Sequence, residues 1–431
     1  MDRTAAQTKK YLADKIRANR KRLFEWHLEH ARLNPPPFYC SVDLRDSGVK
    51  IVPVDSNLYP AGFNNICPDD QRTAPHVVRA QIAAMFSRMG KPTPGKLLIL
   101  PESHTSNTYY IENLYYLRQI LTEAGFEVRV CWYGDVPAGG EKGFELTSAT
   151  EKKISVFPLR IEGGLAQIDG FIPDLILLNN DFSSGYPKPL DEVTQPILPS
   201  HRLGWHSRKK SDHFIHYNRL AAEFAQIIDV DPWILQIDTE EVDQVDFNED
   251  MGIDRVAQSV DRVIERTRAA YAKHDVAKKP FVFVKNNAGT YGMGIMVVHS
   301  GEELLKMNRR TKNKMSVGKN KLPIHSVAVQ EGVPTATLVD RLASEPVIYL
   351  VGTELIGGFL RTNTEKGDED NLNSQGMVFR KLCMSDLRRP EDDEDGLDLK
   401  EEPVLELVYG SIARISALAT GFELSAHRIS G

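Results

Sequence analysis

Lys285 is a cation whose surroundings in the sequence suit phosphate chemistry. Val282 and Val284 alternate up to Lys285, a loop carrying Gly289, Thr290, Tyr291, Gly292, Met293 and Gly294 follows, and Ile295 resumes a β-branched run. The pattern reads as strand, glycine loop, strand. Glycines let backbone N–H groups approach an anion closely, and a lysine beside them adds charge. Phosphate loops of the Walker type and dinucleotide fingerprints both open a helix, whereas this loop returns into a strand. A hairpin closing over a triphosphate fits; so does a glycine hairpin with no ligand.

Other groups could complete such a site. Strand 327–329 runs into Gln330, Glu331, Gly332 and Val333. A strand breaking at a hinge offers its backbone to adenine, and Glu331 is the candidate for a ribose; the alternative is an exposed hinge charge. Strands 347–351 and 355–362 follow, the second bearing Arg361. Beyond it, 365–376 supplies Glu365, Asp368, Glu369, Asp370, Asn371 and Asn373, hard oxygen donors of the kind magnesium takes, or else a solvated acidic loop. Nearer the start, Asp55, Asn57, Asn64 and Asn65 follow a strand at 51–54, in a loop that reads equally as a turn or a site. Arg208, Lys209 and Lys210 precede a helix marked by Phe214, Tyr217, Leu220, Phe224 and Ile228, with Ser211 as its N-cap. Cations there oppose the helix dipole unless an anion compensates. That points to an anionic substrate or to a basic surface turn.

The elements that position these groups are α/β. Strand 96–100, a helix through Tyr110, Leu114, Leu117 and Leu121, strand 126–133 and strand 174–178 predict a parallel sheet with crossover helices. Glu102, His104, Asn107 and Asn179 to Asp181 stand at its carboxyl ends, where ligands collect. A basic helix is expected over 1–32, an insertion of little information over 139–164, and a closing helix through Val404, Val408, Ile412, Ile415 and Ala419. The expected regions are 1–93 (helical, with the substrate loop), 94–250 (parallel sheet), 251–335 (lid with the glycine hairpin) and 336–431 (core).

Composition narrows the class. With 431 residues, 41% apolar, 26% charged and a net charge of -6, the chain reads as a globular protein of two or three units rather than a general nucleic-acid binder. No apolar run suits a bilayer and none suits a signal peptide. Cys40, Cys67, Cys131 and Cys383 form no close pair, which predicts neither zinc nor a disulfide framework and a reducing, cytoplasmic setting. The basic run 306–321 and the acidic run 391–402 read as solvated segments.

The order of elements, a Lys strand, a glycine hairpin, a strand into Gln-Glu-Gly, an Arg strand and the Asn371-Leu372 loop, resembles the ATP-grasp ligases, and 281–376 resembles the nucleotide half of glutathione synthetase. Segments 54–65, 101–105, 178–181, 204–214, 288–296 and 370–373 resemble the proteobacterial glutamate–cysteine ligase family. The resemblance implies an ATP-grasp fold with an N-terminal, pre-ATP-grasp-like parallel sheet, and an enzyme using ATP and magnesium on amino acids. It implies that glutamate is joined to cysteine through an acyl phosphate, with no nucleic-acid or membrane partner. By the same likeness Lys285 and 289–294 hold phosphates, Gln330 to Val333 line adenine, and Arg361 stabilises the transferred phosphoryl group. Glu369, Asn371 and Asn373 become the metal candidates, and Asp55, Asn57, Asn64, Asn65, Arg208, Lys209 and Lys210 the substrate candidates. Another ATP-grasp carboxylate–amine ligase, acting like glutathione synthetase or on γ-glutamyl peptides, and a non-catalytic nucleotide-binding module are the alternatives.

Overall fold

The computed structural model describes residues 5–103, 106–289, 292–319, 322–383 and 404–429. The expected His104, the tips Thr290 and Tyr291 of the glycine loop and the acidic run 391–402 lie outside them.

A central antiparallel sheet runs in the order Met377–Leu382, Glu354–Asn363, Leu342–Val351, Tyr39–Asp46, Ile51–Asn57. Every residue of Tyr39–Asp46 is buried. One face of that strand, Cys40, Val42 and Leu44, packs with Ile348, Leu350 and Leu360 against Val404–Ile429 and Lys210–Ile228, helices whose apolar residues recur each turn. The other face changes character along its length. Tyr39, Val347, Tyr349 and Phe359 join a core with the helices Pro68–Arg88 and Thr108–Glu123. Further along that face Asp43, Arg45, Glu345 and Arg361 replace them, and strand pleating keeps these charges on one side.

The parallel sheet has the order Ile197–Leu198, Leu175–Asn179, Lys96–Pro101, Glu127–Trp132, Lys153–Pro158, with Phe144–Thr147 antiparallel at its edge. Its central strands are near-continuous apolar runs because both faces are covered. The stretch 139–164 thus supplies strands here. The carboxyl end is locked to the loop after Ile51–Asn57. Asn113 Oδ1 accepts from Gly62 N at 2.8 Å, and Asn179 Nδ2 donates to Pro60 O at 2.8 Å.

A third sheet, Thr239–Asp243, Ser326–Glu331, Val282–Asn286, Ile295–Val298, is antiparallel and backed by the helix Ile253–Lys273. Lys285 pairs with Ile295 across the hairpin and with Ala328 on its other side. Thr239–Asp243 comes from the stretch expected to end the parallel-sheet region, and residues 39–57 lie in the sheet of 342–382. The single N-terminal helix expected over 1–32 is two, Ala5–Ala18 and Arg20–Leu33. Cys67 and Cys383 form a disulfide where the sequence predicts none. A separation of 316 residues carries no local signal of pairing. No helix among the described residues is long and apolar enough to cross a membrane.

Candidate active site

Lys285 projects from the hairpin strand and is 7% exposed. Its Nζ donates to Gln330 Oε1 at 2.6 Å and to Val54 O at 3.0 Å, both neutral oxygens. Burial pulls its pKa down to about 7; Asp55 and Glu345 oppose that pull, while Lys210 and Arg45 reinforce it. Gln330 is itself oriented by donating to Thr239 Oγ1.

Arg361 is built differently. Its Nη1 donates to Asp43 Oδ2 at 2.6 Å and to Glu345 Oε1 at 2.7 Å. Glu345 Oε2 accepts from Arg45 Nε at 2.9 Å, so two guanidinium groups and two carboxylates interleave on one sheet face. Burial alone would lower the Arg361 pKa, but the carboxylates outweigh it and keep the group charged. Burial likewise works to raise Glu345, and Arg45 and Arg361 bring it below the usual range. Asp43 goes the other way: burial pushes it up, with Asp55 and Glu345 adding to that, against Arg361. Asp43 Oδ1 and Arg361 Nε are buried with no partner among the described residues.

Arg45 also seats the asparagine loop by donating to Asp368 O and Asp370 O. The hairpin rests on that loop, with Asn371 Nδ2 3.4 Å from Gly292 O. Gly292 has φ +66°, and a Cβ there would come 2.0 Å from Asn373 O, so only glycine permits this approach. Between hairpin, loop and central sheet lies a cavity of about 50 Å³ walled by Asp43, Asp55, Lys285, Glu345, Arg361 and Asn371, among others. A second cavity of about 160 Å³ shares Asp43, Asp55, Arg361 and Asn373 with it and extends to Asn57, Glu102 and Asp181.

The three consecutive cations at 208–210 part company. Lys210 reaches the first cavity, its Nζ 2.5 Å from Asp55 Oδ1 and 4.3 Å from the Trp205 ring centroid. Arg208 is buried against Glu423 and Ser56 O, and Lys209 points outward to Glu241 and Asp243; neither lines the two cavities. Internal carboxylates thus supply compensating charge where the sequence left open an anionic substrate or a basic surface turn. Ser211 does not cap the helix, which begins at Lys210; its N–H donates to Asn287 Oδ1 from the end of the hairpin strand, a cap borrowed from another sheet.

Asp55 and Asn57 line the cavities, whereas Asn64 donates to Asn65 and neither of those two does. Gly289, Gly292 and Met293 line the first cavity, and Gly294 O accepts from Asn286 N to close the hairpin. Glu331, expected at a ribose, is 3% exposed, and both its oxygens accept from Lys50 Nζ at 2.6 Å. Gly332 and Val333 are buried; a Cβ on Gly332 would meet the Phe281 ring. Glu369, expected at a metal, stands outside both cavities, 3.6 Å from His299 Nε2, while Asn371 and Asn373 lie on the walls. No group of three or more His, Cys, Asp or Glu side chains among the described residues is arranged to hold a metal. Asp43, Arg45 and Glu345 escape the sequence reading. The available signal was charge at alternate positions of apolar strands, Asp43 with Arg45, and Glu345 two residues before Val347.

A buried cation under a glycine hairpin, opposite an arginine held by carboxylates, suits the handling of phosphate beside an acid substrate, and the chain is an ATP-dependent carbon–nitrogen ligase. Residues 13–424 match the glutamate–cysteine ligase family (GshA), and the chain belongs to that family. A crystal structure from Methylobacillus flagellatus KT, of a protein provisionally named gamma-glutamylcysteine synthetase, is 34% identical with TM-score 0.84 and coverage of 96% of both chains. D-alanyl-alanine synthetase A from Vibrio cholerae (12% identity, TM-score 0.32, 75% of this chain and 80% of that one) is a far slighter likeness. So is a glutathione synthetase-like effector from Globodera pallida (10%, 0.36, 88% and 84%). No curated protein matches the sequence.

Proposed function

We propose that this ligase joins the γ-carboxylate of glutamate to the amine of cysteine through an acyl phosphate, formed within an ATP-grasp arrangement of the hairpin sheet over the central sheet. The observation that carries the reading is Lys285, a buried lysine whose hydrogen bonds among the described residues go to neutral oxygens, beneath a glycine hairpin and across a cavity from Arg361. Such a group gains most from an incoming anion. Lys285 and the hairpin N–H groups hold the triphosphate. Arg361 orients the glutamate side-chain carboxylate, one oxygen of which attacks the γ-phosphorus while the bond to ADP breaks. The neutral amine of cysteine then attacks the acyl carbon, the carbon–oxygen bond to phosphate breaks, and the departing phosphate takes up the proton shed by nitrogen. The hairpin resting on Asn371 to Asn373 keeps water from the acyl phosphate.

Asp43 and Glu345 suit magnesium better than Glu369 does, being hard donors on the cavity wall, one of them with an oxygen that has no partner among the described residues. Bound there, the ion would neutralise charge on the triphosphate. Gln330 stays a support for Lys285, and Glu331 with Lys50 fixes the hinge rather than a ribose. A cytoplasmic setting suits this chemistry. ADP release tests the reading: glutamate and cysteine together must give more than either alone, and hydroxylamine must trap a γ-glutamyl hydroxamate. Turnover retained by Lys285→Ala would sink the phosphate assignment.

A further inference from the structure

The second cavity holds a pair of carboxylates that this chemistry leaves unused. Glu102 follows the strand Lys96–Pro101 and Asp181 follows Leu175–Asn179. These are adjacent parallel strands whose register pairs Pro101 with Asn179, so the two acids leave the sheet close together. They are 6% and 8% exposed. Lys319 Nζ lies between them, 2.7 Å from Glu102 Oε1 and 2.8 Å from Asp181 Oδ2. Lys319 belongs neither to the parallel sheet nor to the central one; it lies between the helix Arg309–Ser316 and the strand Ser326–Glu331 of the hairpin sheet. A primary ammonium therefore sits on two buried acids, delivered by the part of the chain that carries the lid.

The cavity is lined by more than these two acids. Arg361 and Asn57 line it, and so does Asp43, 4% exposed, whose Oδ1 has no partner among the described residues. An amino acid whose side-chain carboxylate meets Arg361 must also house a permanent α-ammonium in the same space, since burying that charge unpaired is prohibitive. The acceptor amine cannot be the occupant. It has to lose its proton to attack, and two carboxylates would hold the proton on.

We infer that Glu102 and Asp181 form the subsite for the α-ammonium of the glutamate substrate, and that Lys319 occupies it as a stand-in, so that lid lysine and substrate compete for one seat. The inference rests on the proposed role of Arg361 as the anchor of the side-chain carboxylate. It makes the acid pair the element that separates an amino acid from a plain dicarboxylate of equal length.

Steady-state kinetics of the full-length enzyme with ATP, magnesium and cysteine, using glutamate and glutarate as paired donors, tests this. Glu102→Gln and Asp181→Asn are expected to raise KM for glutamate about ten-fold or more, the usual effect of losing a hydrogen bond to a charge. The preference for glutamate over glutarate should fall by the same factor with KM for ATP unchanged. Lys319→Met is expected to tighten glutamate binding several-fold in calorimetry. An unchanged glutamate-to-glutarate preference in the acid variants overturns the inference, as does glutamate affinity that stays level or weakens in Lys319→Met. That lysine variant decides alone if the acid variants fail to fold. Lys285→Ala assayed alongside separates the two failures: turnover surviving there defeats the site reading, whereas its loss beside an unchanged preference defeats only the ammonium subsite.

Discussion

Lys285 and Arg361 line one cavity from two different sheets, and their settings are opposite. Arg361 is saturated in charge, though its Nε has no hydrogen-bond partner among the described residues: two carboxylates of its own sheet grip Nη1, and a second arginine grips one of those acids. Lys285 is starved: a carbonyl and an amide oxygen are its hydrogen-bond acceptors, and burial pulls its pKa to about 7. Position follows from saturation, because a guanidinium held on two sides cannot drift. Affinity for a newcomer follows from starvation, because an anion brought to Lys285 repairs a desolvated charge rather than competing with an existing partner. One wall is preorganised and the other waits.

Breaking the saturated wall should have the larger effect. Arg361→Ala strips the shared cation from Asp43 and Glu345 and should cost about 3–5 kcal/mol of stability along with turnover. Urea unfolding with an ADP assay measures both. Lys285→Met should abolish turnover as fully yet leave stability equal or higher, because no carboxylate loses a partner. The sign with pH is definite. The folded pKa lies near 7, below the ordinary lysine value of 10.5, so the unfolded chain binds the extra proton between those values. The penalty of burying Lys285 is complete below pH 7 and fades as pH rises toward 10.5. The stability gain of Lys285→Met should therefore be largest near pH 6 and vanish at alkaline pH in parallel unfolding series; a gain independent of pH would contradict the contrast.

A third experiment sharpens the comparison without unfolding anything. ATP binding at pH 8 should draw up to about one proton onto Lys285, read as a buffer-dependent heat in calorimetry, and the uptake should disappear in Lys285→Met. The smallest effect is expected at the lid. Gly292→Ala places a Cβ against Asn373 O at a positive φ, so the hairpin should settle less closely and KM for ATP should rise about ten-fold, with stability changed by only about 1 kcal/mol.

The hairpin was legible because everything that defines it is local. Alternation up to Lys285, glycines in the loop and a β-branched return lie within eighteen residues, 281–298. The helix Lys210–Ile228 was legible through its apolar stripe, but not the fates of the cations at its start. Arg208 and Lys209 precede the first helical residue, Lys210, in non-helical backbone, so no periodicity sets their directions and packing decides which of the three cations reaches the cavity. Glu331 misled because its partner Lys50 lies 281 positions away. The metal candidates divide for a related reason: Asn371 and Asn373 reach the cavities and Glu369 does not, while Asp43 and Glu345 are brought together across a sheet rather than along the chain.

The linear chain already carries the kinds of chemistry available: a lysine under a glycine hairpin, an arginine on a paired strand, and the order of elements that marks the family. Periodicity and glycine act through neighbouring residues, and these survive in a linear text. The tertiary structure alone decided which charges are satisfied and which are left wanting. Ion pairing acts over a few ångströms between residues hundreds apart, such as Asp43 with Arg361, Arg45 with Glu345 and Lys319 with Glu102, and folding sets those distances.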